Sequence, residues 1–449
     1  RVASGGELID PRFKPDFNLD LLRGSDYVGN ACLFRLGAVR AAGGAGNLDN
    51  ARVFDLLLRV FDCSGREAIG HLAEMRFHRG SDSSSCGTEA IGQRRQALQA
   101  HLERCGEQAL IEDGVIPGTF MMTYVTEIQP KVSILIAVSD SGGGIGNAVH
   151  SILSMTDYPD YEIRVLIGPT VPDAVADRLK TFQKGSTALH VERCAHKLSS
   201  AHLNQLAGDS SGDLLVWLNE NTLVLQKAWL ARLVSTGQRD AVGVVGARIV
   251  NQKKILLGAG VVPGVGSRGA GSRMHVGLHM TSEGYMGRAQ LTQETGAVPA
   301  LCLLVEKEQF EQVGGFEKAL AVDLYRDIDF CERIRDAGKQ VVWTPHVTLM
   351  YVGAPGAIDG VPDSEKQVDR ETALLHERWL QHFSREPSFN RHLSLSRSDY
   401  SVDAVMSPAW NPDLDSLPRV LSFGVGSYGS WQYRVRQPLD VMQAEGMAQ

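Results

Sequence analysis

The chain has 449 residues, and at about 150 residues per domain this length predicts roughly three domains, each able to bury its own core. Its 45 lysine and arginine residues against 52 aspartate and glutamate residues give a net charge of −7. This balance argues against a nucleic-acid-binding protein, which neutralises phosphates with clustered cations. The apolar runs stop at about seven residues, whereas a membrane-spanning helix needs about 20, so no membrane span is predicted.

The seven cysteines are scattered and form no CxxC pair, which predicts neither a disulfide scaffold nor a thiolate zinc site. A reducing, cytoplasmic environment is the expected compartment. The first ten residues, RVASGGELID, include no apolar leader, and we expect them to come from the middle of a longer protein.

The first organised segment of the chain is one copy of an internal repeat. The sequence CLFRLGAVRAAGG, which starts at Cys32, recurs as CLLVEKEQFEQVGG from Cys302. A helix-like segment follows each copy, and aligning these two segments matches Asp55 with Asp329. The repeat predicts two copies of one fold, of which the first lacks its opening half.

Strands and helices alternate from Lys131 onwards. VSILIAV is a continuous apolar run, typical of a strand that is buried on both faces, and a glycine-rich turn and the helical pattern NAVHSILSM follow it. Further strands are predicted at YEIRVLIG, DLLVWLNEN and AVGVVGARIV, with helical patterns between them. This alternation predicts an α/β fold whose ligands bind at the carboxyl ends of the strands.

A long amphipathic helix is predicted to close this α/β domain. It begins with a capping box from Ser364 to Gln367 and places Leu375, Trp379 and Phe383 on one face. The residues after this helix are rich in serine, proline, aspartate and asparagine without periodicity, which predicts a linker. A new strand, RVLSF, is predicted near the end of the chain.

Several of these segments, read in order, resemble the bacterial family 2 glycosyltransferases of polysaccharide and O-antigen assembly. The segments that carry the resemblance are VSILIAVSD, HLNQLAGDSSGDLLVWLNEN, AVGVVGARIV and CLLVEKEQFEQVGGFEKAL. The resemblance covers about residues 131–395. It implies a GT-A fold, which is an α/β fold with a Rossmann-like mixed sheet.

The resemblance also implies a tandem organisation. Residues 130–385 correspond to a complete GT-A domain, and residues 1–125 correspond to the C-terminal half of a first GT-A domain, so that a partial second copy is expected. Residues 386–417 would be a linker. Residues 418–449 resemble the first strand and loop of a GT-B glycosyltransferase.

The chemistry implied by the family is transfer of a hexosyl or rhamnosyl group from a nucleotide-diphosphate donor to a hydroxyl of a growing cell-surface polysaccharide, with inversion. Such a transfer needs a carboxylate at the nucleoside, a Mg²⁺ or Mn²⁺ ion beside the diphosphate and a carboxylate base for the acceptor. The implied partners are the nucleotide sugar, a glycan or lipid-linked glycan acceptor and other glycosyltransferase domains of the same chain. The implied location is the cytoplasm, with peripheral contact to the inner membrane as an option.

Four residues match the donor half of the family's site. Asp140 lies where the family contacts the nucleotide, although a turn or N-cap aspartate explains this residue equally well. Asn219, Glu220 and Asn221 match the metal-binding turn, and Asn219 and Glu220 are candidate donor contacts. Asn221 replaces the usual metal-ligating aspartate, so metal binding by Asn221, or by Glu220 in a shifted turn, is expected to be weak. A plain polar turn is the alternative.

Asp327, in the sequence YRDIDF, matches the general base of the family. Asp329 is retained in both copies of the repeat and is expected to cap the helix that follows. The alternative for both residues is that they are helix-start acids favoured by the helix dipole. In the first copy, Val53 stands at the position of Asp327.

Two more positions depart from the family pattern on the donor side. Gly168 stands where an acid normally follows the second strand, and Gly258 stands where a histidine is common. Together with Asn221, these changes leave two functions open. One is an active inverting glycosyltransferase, and the other is a degenerate module that acts as a scaffold or acceptor-binding unit within a larger enzyme.

Overall fold

The computed structural model describes residues 9–78, 87–126, 128–139, 142–354, 364–402 and 437–444. Its first part consists of helices around a two-stranded hairpin. The elements of this part are α1 (Leu19–Gly24), α2 (Leu36–Ala41), α3 (Arg52–Ser64), α4 (Thr88–Cys105), β1 (Ala109–Asp113) and β2 (Phe120–Tyr124). The apolar faces of α1, α3, α4 and the hairpin share one core, in which Leu22, Leu58 and Leu98 are completely buried, while α2 packs against Leu56 and Val60 of α3 in a separate cluster.

A mixed sheet of ten strands forms the centre of the rest of the chain. Eight strands lie side by side in the order β12, β14, β8, β13, β6, β3, β4, β5, while β7 pairs with β14 and β9 with β8. A separate pair is formed by β10 and β11. The strands are β3 (Val132–Val138), β4 (Tyr161–Ile167), β5 (Leu189–Arg193), β6 (Leu214–Leu218), β7 (Thr222–Val224), β8 (Val242–Asn251), β9 (Leu256–Gly258), β10 (Val261–Pro263), β11 (Gly271–Arg273), β12 (Gln293–Glu294), β13 (Cys302–Glu306) and β14 (Gln340–Tyr351).

Six strands of this sheet run in one direction. β3, β4, β5 and β6 are mutually parallel. β13 is antiparallel to both β6 and β8, so β8 runs the same way as β6, and β14 is parallel to β8. The carboxyl ends of these six strands therefore meet along one edge of the sheet, where α/β folds bind ligands.

Helices cover both faces of the sheet, which explains why the predicted strand VSILIAV is apolar except for Ser133, whose hydroxyl donates to Glu162. α5, α6 and α8 pack on one face, and α7, α9, α10 and α11 pack on the other. The helices are α5 (Ile145–Met155), α6 (Asp173–Gly185), α7 (Ser200–Gly208), α8 (Trp229–Gly237), α9 (Lys307–Gln312), α10 (Asp323–Asp336), α11 (Glu365–Phe383) and α12 (Gln437–Ala444). The predicted capping of α11 is confirmed, because Ser364 Oγ accepts a hydrogen bond from the Gln367 amide at 3.2 Å.

The two copies of the sequence repeat have the same local structure. α2 and α9 each span six residues and end before two glycines with positive φ. In each copy an arginine bonds the aspartate four residues before it and donates to the carbonyl that precedes the glycines. The residues are Asp55, Arg59 and Ala42 in the first copy, and Asp329, Arg333 and Val313 in the second. The structural match between the two copies ends at the cysteine. Cys32 lies outside any described strand, whereas Cys302 is the first residue of β13.

A buried ionic network joins the first part to the sheet domain. Both carboxylate oxygens of Asp20 accept hydrogen bonds from Arg239, at 2.7 and 3.1 Å. The Arg239 guanidinium also lies 4.6 Å from the ring centroid of Tyr124. Burial opposes the charged form of Arg239, but the Asp20 carboxylate holds its pKa above the ordinary value. The Arg239 guanidinium therefore stays charged inside the interface.

The prediction that residues 386–417 form a linker is wrong for the first half of this segment. Residues 386–402 pack against the sheet domain, because Phe389, Leu393 and Tyr400 enter a core that also contains Phe13. The remainder of the linker, and the part of the predicted GT-B segment that precedes α12, lie outside the described residues. In the described part of the chain, no helix combines the length and apolar character needed to cross a bilayer.

Candidate active site at the carboxyl edge of the sheet

The turn after β6 is built around Asn219. Its side-chain Oδ1 accepts a hydrogen bond from the Asn221 amide at 2.9 Å, and its carbonyl accepts one from the Thr222 amide at 2.9 Å. This is the local turn that asparagine favours. The Asn219 amide donates to the Leu301 carbonyl at 3.2 Å, which connects the turn to the segment before β13. Glu220 is half-buried in the same turn.

The side chain of Asn221 packs against the start of α5. A Cβ atom placed on Gly144, the residue before α5, would lie 2.1 Å from Asn221 Oδ1, so only glycine allows this contact. The amide oxygen therefore lies beside the positive end of a helix dipole. Of the two asparagine side-chain oxygens in the turn, that of Asn219 accepts a hydrogen bond from the Asn221 amide, and that of Asn221 lies close to Gly144.

Asp327 lies in the second turn of α10 and is only 3% exposed. Its Oδ2 accepts a hydrogen bond from the Ala300 amide at 2.7 Å, and its Oδ1 contacts Arg326 at 3.1 Å. Burial raises the pKa of Asp327 to about 6, although Arg326 opposes this shift. Such a carboxylate is ionised at neutral pH and has a proton affinity suited to a general base.

The segment Pro299–Leu301 connects the two predicted halves of the site. Asp327 bonds the amide of Ala300 on one side, and the Asn219 amide bonds the carbonyl of Leu301 on the other. A small cavity lies beside the same segment, lined among others by Gly258, Arg273 and Trp343. The structure thus brings Asp327 and the Asn219–Asn221 turn together, although more than 100 residues separate them in the sequence.

The helix-cap prediction for Asp329 is wrong. α10 begins at Asp323, so Asp329 lies in the helix interior, where it is completely buried. Its carboxylate accepts hydrogen bonds from Arg333 at 3.0 Å and from the indole of Trp379 on α11 at 3.0 Å. Asp329 therefore fastens α10 to α11, and this contact between elements distant in sequence could not be inferred from a local pattern.

Two of the positions that depart from the family pattern on the donor side, Gly168 and Gly258, lie in closely packed parts of the structure. A Cβ on Gly168 would lie 3.1 Å from the Val138 carbonyl, so the ends of β3 and β4 approach closely where the family has an acid. Gly258 has φ +152°, and a Cβ there would lie 2.9 Å from Cβ of Arg273. Asp140, the predicted nucleotide contact, lies outside the described residues.

Sequence reasoning missed a second group of potential metal ligands, in the first part of the chain. Asp62, His101 and Cys105 place their ligand atoms within 4.8 Å of one another. However, His101 Nε2 accepts a hydrogen bond from Arg23 at 3.1 Å, so Nδ1 must carry the proton that bonds Asp62 at 2.6 Å. Burial also raises the pKa of Cys105 to about 11. In the metal-free protein these side chains therefore form a hydrogen-bonded cluster, in which the Cys105 thiol donates to Asp62 at 3.5 Å.

Comparison with known proteins gives two distant relatives. No family model matches the chain. The uncharacterized protein y4gI of Sinorhizobium fredii is 30% identical over 424 residues, which are 91% of this chain and 46% of that protein. The O-antigen biosynthesis protein RfbC of Myxococcus xanthus is 29% identical over 408 residues, 88% of this chain and 31% of that protein. The chain therefore spans less than half the length of either relative.

Among solved structures, the chain is similar to GalNAc-T7 with UDP, GalNAc and Mn²⁺ at 15% identity and a TM-score of 0.46. The match covers 57% of this chain and 50% of that chain. A similarity at this level carries no argument about fold or ligands. The α/β assignment rests on the mixed sheet and the helices on its two faces.

Proposed function

We propose that the chain is part of a glycosyltransferase that moves a sugar from a nucleotide-diphosphate donor to a hydroxyl of a cell-surface polysaccharide. The observation that carries the proposal is the position of Asp327 and the Asn219–Asn221 turn on either side of Pro299–Leu301, at the carboxyl edge of the sheet. The relative named for O-antigen biosynthesis supports the same class of pathway. The implied enzyme works with inversion, in the cytoplasm.

In this proposal Asp327 is the base. The acceptor hydroxyl gives its proton to the Asp327 carboxylate, its oxygen forms a bond to the anomeric carbon, and the bond from that carbon to the diphosphate breaks. Arg326 and the Ala300 amide hold the carboxylate in place. Because Asp327 is only 3% exposed, the acceptor hydroxyl can reach it only after a local movement of the residues that cover it.

The residues of the turn are a poor fit to a tightly held Mg²⁺ or Mn²⁺ ion. The side-chain oxygen of Asn219 accepts a hydrogen bond from the Asn221 amide, and both asparagines are uncharged, which leaves Glu220 as the charged side chain of the turn. A hard divalent cation beside a diphosphate is bound mainly through carboxylates. We therefore assign no step of the reaction to a metal, and donor binding falls to the remaining groups at this edge, with Asp140 as the proposed nucleotide contact.

Restoring an acid to the turn should make nucleotide binding depend on metal. In the wild-type chain we expect Mn²⁺ to raise the affinity for a nucleoside diphosphate less than about tenfold. Asn221→Asp keeps the shape of the side chain and places its charge at the favourable end of α5, so the variant should fold and show a larger Mn²⁺ effect. Calorimetric titrations with and without Mn²⁺ measure this difference.

The matched control is Asn147→Asp, which adds the same charge to the exposed first turn of α5. It should leave the Mn²⁺ effect as in the wild type. An unchanged Mn²⁺ effect in Asn221→Asp would show that the metal does not bind at this turn.

The proposal extends to the organisation of the chain. Residues 1–125 would be the acceptor half of a first GT-A copy, and residues 130–385 would be the complete GT-A domain. The shared aspartate–arginine contacts beside the glycine pairs support this duplication. Residues 418–449 would begin a GT-B domain, and further glycosyltransferase domains of the same protein would be partners.

A non-catalytic scaffold or acceptor-binding module is the second candidate function. It is favoured by the loss of three donor-side residues at Gly168, Asn221 and Gly258. Titration of the chain with nucleoside diphosphates separates the two, since a transferase must hold its donor's nucleotide and a scaffold need not.

A further inference from the structure

The last turns of α3 and α4 bring three different metal-ligating side chains together. Asp62 lies near the end of α3, and His101 and Cys105 lie four residues apart near the end of α4. Residues at this spacing share one face of a helix, so the two α4 side chains both reach Asp62. The ligand atoms of the three residues lie within 4.8 Å of one another.

The distances between these atoms are close to those of a tetrahedral zinc site. Zn²⁺ holds sulfur at about 2.3 Å and nitrogen or oxygen at about 2.0 to 2.1 Å, so its ligand atoms lie about 3.3 to 3.6 Å apart. Cys105 Sγ lies 3.5 Å from Asp62 Oδ1 and 3.6 Å from His101 Nδ1. Asp62 Oδ1 and His101 Nδ1 are closer, at 2.6 Å, and would have to separate by about 0.7 Å.

The surroundings of the three ligands suit a cation that enters from solvent. Both helices end here, and the carbonyl groups of a helix C-terminus carry partial negative charge. Arg104 Nε bonds Asp62 Oδ2 at 2.6 Å, which fixes the carboxylate with Oδ1 towards the other two ligands. The side chains of Asp62 and His101 are buried, whereas Cys105 is exposed, so an ion can enter on the side of the thiol.

Two protons lie among these ligand atoms in the metal-free protein, one on His101 Nδ1 and one on the Cys105 thiol. A metal ion displaces both, because the thiol proton passes to solvent and the ring proton moves from Nδ1 to Nε2. Arg23 faces Nε2 at 3.1 Å and opposes this move. Its guanidinium is also bonded by Glu107 and Tyr124, so it can release the ring and keep its charge partner.

We propose that Asp62, His101 and Cys105 form a binding site for one Zn²⁺ ion. Carboxylate oxygen, imidazole nitrogen and thiolate sulfur are the ligands that Zn²⁺ takes in proteins, and the exposed side of the site leaves the fourth position to water. The bound ion joins α3 to α4. The candidate active-site residues lie on other elements, so the zinc site does not depend on the proposed transferase function.

Titration of the reduced, chelator-treated chain with Zn²⁺ and with Co²⁺ tests the site. The wild-type chain should bind one ion, and bound Co²⁺ should show a thiolate charge-transfer band and the strong visible bands of tetrahedral coordination. Cys105→Ser should remove the charge-transfer band, and both Cys105→Ser and Asp62→Asn should weaken Zn²⁺ binding by at least about tenfold. The matched control is Cys63→Ser, which removes a second exposed cysteine beside Asp62 and should change neither readout.

Thermal unfolding gives a further readout, because an ion that binds the folded state raises the thermal midpoint. Zn²⁺ should raise the midpoint of the wild type more than that of Cys105→Ser, which should fold because Cys105 is exposed at the end of α4. The proposal is overturned if the folded wild-type chain binds no Zn²⁺, or if its Co²⁺ complex lacks the thiolate band. It is also overturned if Cys105→Ser binds Zn²⁺ as tightly as the wild type does, or if Cys63→Ser loses the band.

Discussion

Asp327→Asn is expected to reduce sugar transfer by about 10²- to 10⁴-fold while leaving nucleotide binding nearly unchanged. The substitution keeps the size of the side chain and its contact with the Ala300 amide, but it removes the group that accepts the proton. Because the pKa of Asp327 is raised to about 6, the wild-type rate should fall as the pH drops below about 6, where the base becomes protonated. Transfer rates across a pH series measure both effects.

The control for this prediction is Asp329→Asn. Asp329 is completely buried and joins α10 to α11 through Arg333 and Trp379, so its loss should lower the thermal midpoint and leave the chemistry of the folded fraction intact. If Asp329→Asn abolishes transfer in folded protein while Asp327→Asn does not, the two aspartates have the opposite roles.

Arg239→Ala is expected to cost about 3 to 5 kcal/mol of unfolding free energy. The substitution leaves the Asp20 carboxylate buried at the interface without the guanidinium that bonds both of its oxygens. It also removes one of the two guanidinium groups described above the ring of Tyr124, while Arg23 stays in place. Chemical denaturation of the wild type and the variant at neutral pH measures the difference.

Arg268→Ala is the matched control, because it removes an exposed arginine that pairs with Asp369 on α11. Exposed ion pairs contribute about 1 kcal/mol or less. If Arg239→Ala lowers the free energy of unfolding no more than this control does, the Asp20 contact does not hold the first part of the chain to the sheet domain.

The elements of the fold could be predicted from local patterns. VSILIAV became β3 because its apolar run suits a strand covered on both faces, and the signal at Ser364 correctly placed the start of α11. Asp329 was assigned wrongly because its partners Arg378 and Trp379 lie on another helix, which no local pattern reveals. The packing of residues 386–402 was missed for the same reason, since their aromatic residues meet a core assembled from distant segments.

Only part of the candidate site could be predicted from the sequence. The resemblance selected Asp327 and Asn221, but it could not show that Asp327 is nearly inaccessible or that Asn221 is packed against Gly144.

Calorimetric titration of the chain with UDP, GDP and dTDP tests the proposed transferase most directly. We expect at least one of these nucleotides to bind with 1:1 stoichiometry and a Kd of about 1 mM or tighter, corresponding to about −4 kcal/mol, and Asp327→Asn to bind it equally well. If the folded wild-type chain binds none of the three, with or without Mn²⁺, the transferase proposal is wrong and the scaffold function is favoured.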